Sequence, residues 1–181
     1  NEIKKKIENK KFFYIEKKIS EENYEKIMRL GDKSLIPEEK VLRIYPQKNL
    51  FSHLLGQIDD DNNGISGLEK SLNDELRESE DPIRLTLDKD IQFLIRKELI
   101  KYQEIFKSKG SAAILMDVNN GNILSLVSLP DFNPNERQNI TDEIYINRVT
   151  KGTYELGSVF KTFTFANALN ENLIEPKTQF L

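Results

Sequence analysis

Ser158 and Lys161 are the residues whose types and spacing suit nucleophilic chemistry. They form the only S-x-x-K in the chain, inside Tyr154-Glu155-Leu156-Gly157-Ser158-Val159-Phe160-Lys161-Thr162-Phe163-Thr164. A serine hydroxyl becomes a nucleophile when a neighbouring base takes its proton, and a neutral amine can be that base. A turn ending at Gly157 is expected to run into a helix starting at or beside Ser158. On a helix, residues three apart share one face. The positive end of the helix dipole and burial both favour a neutral lysine. At 100° per residue, Val159, Phe160, Phe163, Phe165, Ala166, Ala168 and Leu169 spread round the whole circle, the pattern of a buried helix. Lys161 falls between Phe165 and Ala168 on that wheel, with no solvated stripe of its own. The bare motif is weak, because eleven serines and twenty lysines give roughly one S-x-x-K by chance. A serine N-cap followed by a lysine reaching into solvent is the plain structural alternative.

The elements that must position this pair can be read upstream. Ile83 to Leu87 reads as a strand. Asp88 opens a long helix to about Phe106, with Ile91, Leu94, Ile95, Leu99 and Tyr102 at helical spacing. The apolar runs 111–118 and 122–129 flank Asn119-Asn120-Gly121, and Asn-Gly between such runs predicts an antiparallel hairpin. The Asp88 helix should pack on that sheet. Pro130 to Asn135 is loop, with two prolines setting an extended path. Before a polar break at 79–82, the chain reads as a separate piece. Lys11 to Ile15 is a short strand. Ser20 caps a helix through Leu30, with Tyr24, Ile27 and Met28 as its stripe and Gly31 as its stop. Val41 to Tyr45 is strand-like, closed by Pro46. Ser66-Gly67-Leu68-Glu69 is a capping box for a helix to about Arg77. The fold class is therefore α+β or mixed α/β, with residues 1–81 as one segment and 82–181 as another.

The bulk numbers exclude several classes. The chain has 181 residues, 38% hydrophobic and 31% charged, which is low for a compact enzyme but not a disordered composition. A net charge of -3 leaves no general basic footprint, so nucleic acid is not an expected partner. The lysines of residues 4–18 read as a solvated face. Without cysteine there are no disulfides or thiolate zinc sites. No apolar run approaches about 18 residues and no signal peptide is visible. Asp59-Asp60-Asp61-Asn62-Asn63-Gly64 imitates the start of an EF-hand loop, but Lys70 stands at position 12, so a polar turn is expected instead of a calcium site. The lone His53 sits among apolar residues and reads as a hydrogen-bonded structural histidine. No metal or other cofactor is expected.

Seven blocks, in order, resemble the class B penicillin-binding proteins, the monofunctional peptidoglycan transpeptidases. Arg43-Ile44-Tyr45-Pro46, His53-Leu54-Leu55-Gly56 and Gly64-Ile65-Ser66-Gly67-Leu68-Glu69-Lys70 are similar to that family's pedestal, or dimerisation, segment. Leu85-Thr86-Leu87-Asp88 with Ile91-Gln92 resembles the entry to its transpeptidase domain. So do Met116-Asp117-Val118 with Gly121, and Pro130-Asp131-Phe132-Asn133-Pro134-Asn135. Asn147-Arg148, followed by Tyr154 to Lys161, resembles the active-site block, where S-x-x-K is the family's nucleophile motif.

The resemblance implies a pedestal segment over 1–81 and the first part of a transpeptidase domain, an antiparallel sheet with helices, over 82–181. It implies Ser158 as acyl nucleophile, Lys161 as proton acceptor and the Ser158 backbone N–H as one oxyanion donor. The substrate would be the peptidoglycan stem peptide or a β-lactam mimicking it. The pedestal blocks look more like the division branch than the elongation branch. That implies work in septal wall synthesis, division-machinery membrane proteins as partners, and a place on the extracytoplasmic (periplasmic) face of the cytoplasmic membrane. The membrane anchor would be a segment outside these residues. Leu156 stands where many relatives have proline, and the short stretch 77–81 lacks a hairpin found in many of them. Ser71-Leu72-Asn73 precedes Ser158 and Thr150-Lys151-Gly152 is in the wrong order, so neither serves as the family's S-x-N or K-T-G. Both ends look cut, those two elements are expected beyond Leu181, and residues 1–181 alone are expected to be inactive. A β-lactamase or β-lactam sensor, which share S-x-x-K, and a non-catalytic scaffold of the division machinery remain as alternatives.

Overall fold

The computed structural model describes residues 12–16, 19–136 and 141–179. It divides into two compact units, residues 1–41 and 42–181. In the first unit, helix α1 (Glu21–Met28) starts where expected, with the Ser20 hydroxyl accepting from the Asn23 N–H at 3.3 Å. It stops two residues before Leu30, and Gly31 follows at φ 67°. A glycine supplies that left-handed turn without steric cost. Lys26 pairs with Glu22 at 2.6 Å along the helix. Residues 12–15 form no strand, and no described residue of this unit is buried. Tyr14 donates its hydroxyl to Glu38 at 2.9 Å. The expected strand's first residue and most of the 4–18 lysine run lie outside the described residues.

The second unit is built on a two-stranded antiparallel sheet, β1 (Ser111–Met116) and β2 (Ile123–Leu129), paired from Ser111↔Leu129 to Met116↔Ile123. The expected hairpin forms around Asn119-Asn120-Gly121. The Asp117 carboxylate accepts from the Asn119 N–H at 2.9 Å and from both asparagine side chains, and Gly121 takes φ 76°. Those bonds hold the exposed Asp117 carboxyl below its usual range, the Asn119 N–H contributing most. Helix α5 (Lys89–Phe106) packs on the sheet as expected, mainly against β2, with the Asp88 carboxylate capping the Asp90 and Ile91 N–H groups at 2.9 Å. Before it come α2 (Ser52–Leu55), α3 (Gly67–Ser71) and α4 (Asn73–Glu78); after β2 come α6 (Asp142–Tyr145), a 3-10 turn Gly157–Phe160, and α7 (Lys161–Asn170).

Three expectations need correcting. Residues 83–87 form no strand, because β2's outer edge offers them little. Only Thr86, through its hydroxyl, and the Asp88 N–H reach that edge, at Ile123 and Leu124. The next edge position is occupied by Gln92. Residues 41–45 also form no strand. The Tyr45 N–H and carbonyl are instead satisfied by the side-chain amide of Asn135, both at 2.9 Å. The capping box at Ser66 does not form either. The Ser66 hydroxyl accepts from the Gln57 N–H at 3.0 Å, and Glu69 pairs with Arg43 at 3.2 Å. The helix it was to open is broken in two at Leu72, φ -113° and ψ 24°.

The buried interior is small and half polar. Tyr45, Leu126, Val127, Leu129 and Phe132 are its apolar members, and Ser52, His53, Gln57, Glu69, Gln92, Ser125 and Ser128 its polar ones. The glycines of the 56–67 region are required by close approach. A Cβ on Gly56 would overlap the Ser66 carbonyl, and one on Gly64 the Glu69 carbonyl. The Asp59 carboxylate closes the intervening turn, accepting from the Asp61 and Asn63 N–H groups at 2.8 Å, which is the polar turn expected there. The boundary expected at about residue 81 falls inside this unit.

Candidate functional site

Ser158 sits one residue into the 3-10 turn, after Gly157 at φ 54°, and Lys161 is the first residue of α7. Nothing lies within 4 Å of a Cβ placed on Gly157, so its glycine is demanded by conformation alone. The turn is closed by Val159 N–H on the Leu156 carbonyl at 3.1 Å. The Ser158 N–H lies in the first turn, where helical N–H groups have no intrahelical partner. The Ser158 side chain caps neither the turn nor α7. The plain structural reading of Ser158 as an N-cap therefore does not hold.

The expectation of a buried helix does not hold in these residues. No residue of α7 is buried, and Val159, Phe160, Phe163 and Phe165 are 66%, 58%, 62% and 49% exposed. The physical reason is a missing partner: among the described elements, α7 packs chiefly on the 3-10 turn before it. Ser158 and Lys161 are exposed with it, and no hydrogen bond joins their side chains among the described residues. The surface cleft lined by Asn63, Lys70, Asn73 and Asp74 does not include them. Among the described residues no cluster of three or more His, Cys, Asp or Glu could hold a metal, and no helix is long and apolar enough to cross a membrane.

The residues that hold the ground on which this segment stands come from the other motif blocks, and reading the sequence assigned most of them no role. Gln92 is 1% exposed. Its Nε2 donates to the Leu50 and Leu126 carbonyls, both at 2.8 Å, and its Oε1 accepts from the Leu126 N–H at 2.9 Å and the Ser125 hydroxyl at 2.6 Å. One side-chain amide thus behaves as a residue of a third strand along β2. Arg96 forks onto Asp131 at 2.6 and 3.1 Å, and Asn49 adds a bond to the same carboxylate at 3.0 Å. His53 is buried as expected, its Nε2 2.8 Å from the Ile144 carbonyl and its ring edge-on to Phe132. Burial pushes its pKa below the ordinary value of 6.5. The Ile144 and Ser128 carbonyls and the Asp131 charge oppose that shift, while Arg148 adds to it. These contacts tie residues 45–57 to the sheet and to the loop that leads to Ser158. The signal that could have found them is a polar residue inside an apolar stripe, as Gln92 is beside Ile91 and Ile95.

Two family models match. Residues 1–104 match the penicillin-binding protein dimerisation domain and residues 111–181 the penicillin-binding protein transpeptidase domain. The chain is 33% identical over 158 residues to a probable peptidoglycan D,D-transpeptidase FtsI of Caulobacter vibrioides, covering 85% of this chain and 27% of that one. It is 31% identical to the stage V sporulation protein D of Bacillus subtilis, covering 89% of this chain and 29% of that one. Among solved structures it resembles penicillin binding protein 3 of Mycobacterium tuberculosis, with a TM-score of 0.65 and 28% identity over 77% of this chain and 34% of that one. That protein has also been solved with aztreonam. The chain therefore spans under a third of the length of these two curated relatives.

Proposed function

Because the chain belongs to the penicillin-binding proteins that join a dimerisation domain to a transpeptidase domain, we propose that it is part of a peptidoglycan D,D-transpeptidase in which Ser158 is the acyl nucleophile. Lys161 takes the hydroxyl proton as Ser158 attacks the penultimate carbonyl of a stem peptide. The new acyl–oxygen bond forms as the amide to the terminal residue breaks, and the proton passes to the leaving amine. A second stem-peptide amine then attacks the acyl carbonyl, the ester bond to the Ser158 oxygen breaks, and the amine's proton returns to that oxygen through Lys161. The Ser158 N–H is one oxyanion donor. The observation that carries this reading is that Ser158, in a family-matched segment, caps no helix and has a side chain free for chemistry. The FtsI relative favours a division-type role, and on that reading the enzyme works at the septum, on the extracytoplasmic face of the membrane and beside division-machinery proteins. The dimerisation match over residues 1–104 weighs against a β-lactamase or sensor.

The reaction needs more than this pair. No S-x-N or K-T-G occurs between Ser158 and Leu181. Acyl transfer also requires a second oxyanion donor and a surface that aligns the substrate. Mass spectrometry after incubation with penicillin tests the reading. The full-length protein is expected to gain one acyl adduct at Ser158, Ser158→Ala none, and Lys161→Ala to slow acylation about 10²- to 10⁴-fold. Residues 1–181 alone are expected to stay unlabelled. Labelling that survives Ser158→Ala rejects the nucleophile. A full-length protein that is never labelled favours the non-catalytic scaffold.

A further inference from the structure

Between β2 and Ser158 the chain is fixed at Arg148. Its N–H donates to the Ser128 hydroxyl at 3.0 Å and its Nη1 to the Glu143 carbonyl at 3.1 Å. Its side chain crosses Gly110 so closely that a Cβ there would overlap the guanidinium. Beside it, Asn147 donates to the His53 carbonyl at 3.3 Å and accepts from the Val149 N–H at 3.0 Å. The backbone then turns, with the Thr150 and Lys151 N–H groups on the Asn147 carbonyl at 3.2 and 2.9 Å.

From 152 to 157, one described hydrogen bond ties the segment back to this anchor: the Tyr154 hydroxyl donates to the Arg148 carbonyl at 3.1 Å. Gly152 lies beneath that bond. A Cβ on it would overlap both the Tyr154 hydroxyl and the Arg148 carbonyl. Its φ is not in the left-handed region, so the position needs glycine for space and not for backbone freedom. Four residue steps, at most about 14 Å of extended chain, lead from Tyr154 to Ser158.

We infer that Tyr154 is a positioning residue for Ser158: its hydroxyl clasps the Arg148 carbonyl, in the space Gly152 leaves, and fixes the nucleophile's segment to the sheet. The inference rests on the reading of Ser158 as nucleophile. A nucleophile displaced by about 1 Å can lose about 10²-fold in rate. Tyr154 is 61% exposed, so water competes for the bond and the effect is smaller than that ceiling.

The test separates noncovalent penicillin binding from the acylation rate constant in the full-length protein. Tyr154→Phe keeps the ring and removes the donor. Its acylation rate constant is expected to fall about 2- to 10-fold, the range one hydrogen bond commands, with the binding constant and Tm unchanged. Gly152→Ala is expected to give at least the same defect, and the double variant no more than Gly152→Ala alone, because both remove one bond. Amide exchange in residues 153–158 should quicken in Tyr154→Phe while β2 stays protected. A merely structural tyrosine would lower Tm and leave the rate constant of the folded molecules alone. An unchanged rate constant, unchanged exchange, or defects that multiply would overturn the clasp alone. A wild-type protein not acylated at Ser158 would strike the functional reading first and the clasp with it.

Discussion

Gln92→Leu should cost this chain a large share of its stability. Leucine fills nearly the same space, so the change isolates hydrogen bonding from volume. Four partners lose their bond: the Leu50 carbonyl, the Leu126 carbonyl, the Leu126 N–H and the Ser125 hydroxyl. The site is 1% exposed, so water does not replace the amide without opening the packing. An unsatisfied buried group costs about 1–3 kcal/mol. The serine can rotate to another acceptor, and each carbonyl keeps a second lone pair, so those three groups count at the low end. The Leu126 N–H has no such escape, and added apolar burial returns about 1 kcal/mol. The expected loss is about 3–5 kcal/mol, against about 5–15 kcal/mol for a whole domain. Urea unfolding followed by far-UV circular dichroism measures it, compared at equal slope. A loss below about 1 kcal/mol would mean that β2's edge is covered by something other than this amide, and the reasoning would fail.

Two further outcomes follow from buried or crowded positions. His53 has its folded pKa lowered by burial, so its contribution is complete above about 6.5 and is lost as pH falls through the lower folded value. Acidification from about pH 7.5 should therefore lower the urea midpoint more in the wild type than in His53→Gln, and parallel curves would refute the assignment. Gly56→Ala drives a Cβ into the Ser66 carbonyl at φ 81° and should prevent folding, whereas Gly121→Ala, with φ 76° and open space, should cost about 1 kcal/mol by thermal unfolding. Equal losses at the two glycines would show that the close approach at Gly56 is relieved at no cost.

Elements announced by short-range signals were legible. The hairpin follows from Asn-Gly between two apolar runs, and α5 from its helical spacing and the Asp88 cap. Residues 41–45 and 83–87 have strand composition too, yet form no strand, because strand identity depends on a partner that composition does not specify. At 41–45 the partner is the Asn135 side chain, and at 83–87 the edge is taken by Gln92. Ser66 and Glu69 spell a capping box, but each found a longer-range partner, Gln57 and Arg43. Tertiary hydrogen bonds outranked the local motif in both places.

The same logic separates the residues of the motif blocks by what uses them. Gln92, Asn135, Asn147 and Arg148 are consumed by the fold, each bonded to main-chain groups distant in sequence. Their roles were invisible in one dimension because the main-chain partners that tie them across the fold mostly lie more than forty residues away. Ser158 and Lys161 are different. Their spacing was legible because helical geometry alone makes them neighbours, while the burial expected around them was not supplied by the described elements. Apolar periodicity states what a helix must be packed against, not whether the covering elements lie within a given stretch of sequence. On the proposed reading, the exposed S-x-x-K at the head of α7 therefore depends for its chemistry on what covers that helix.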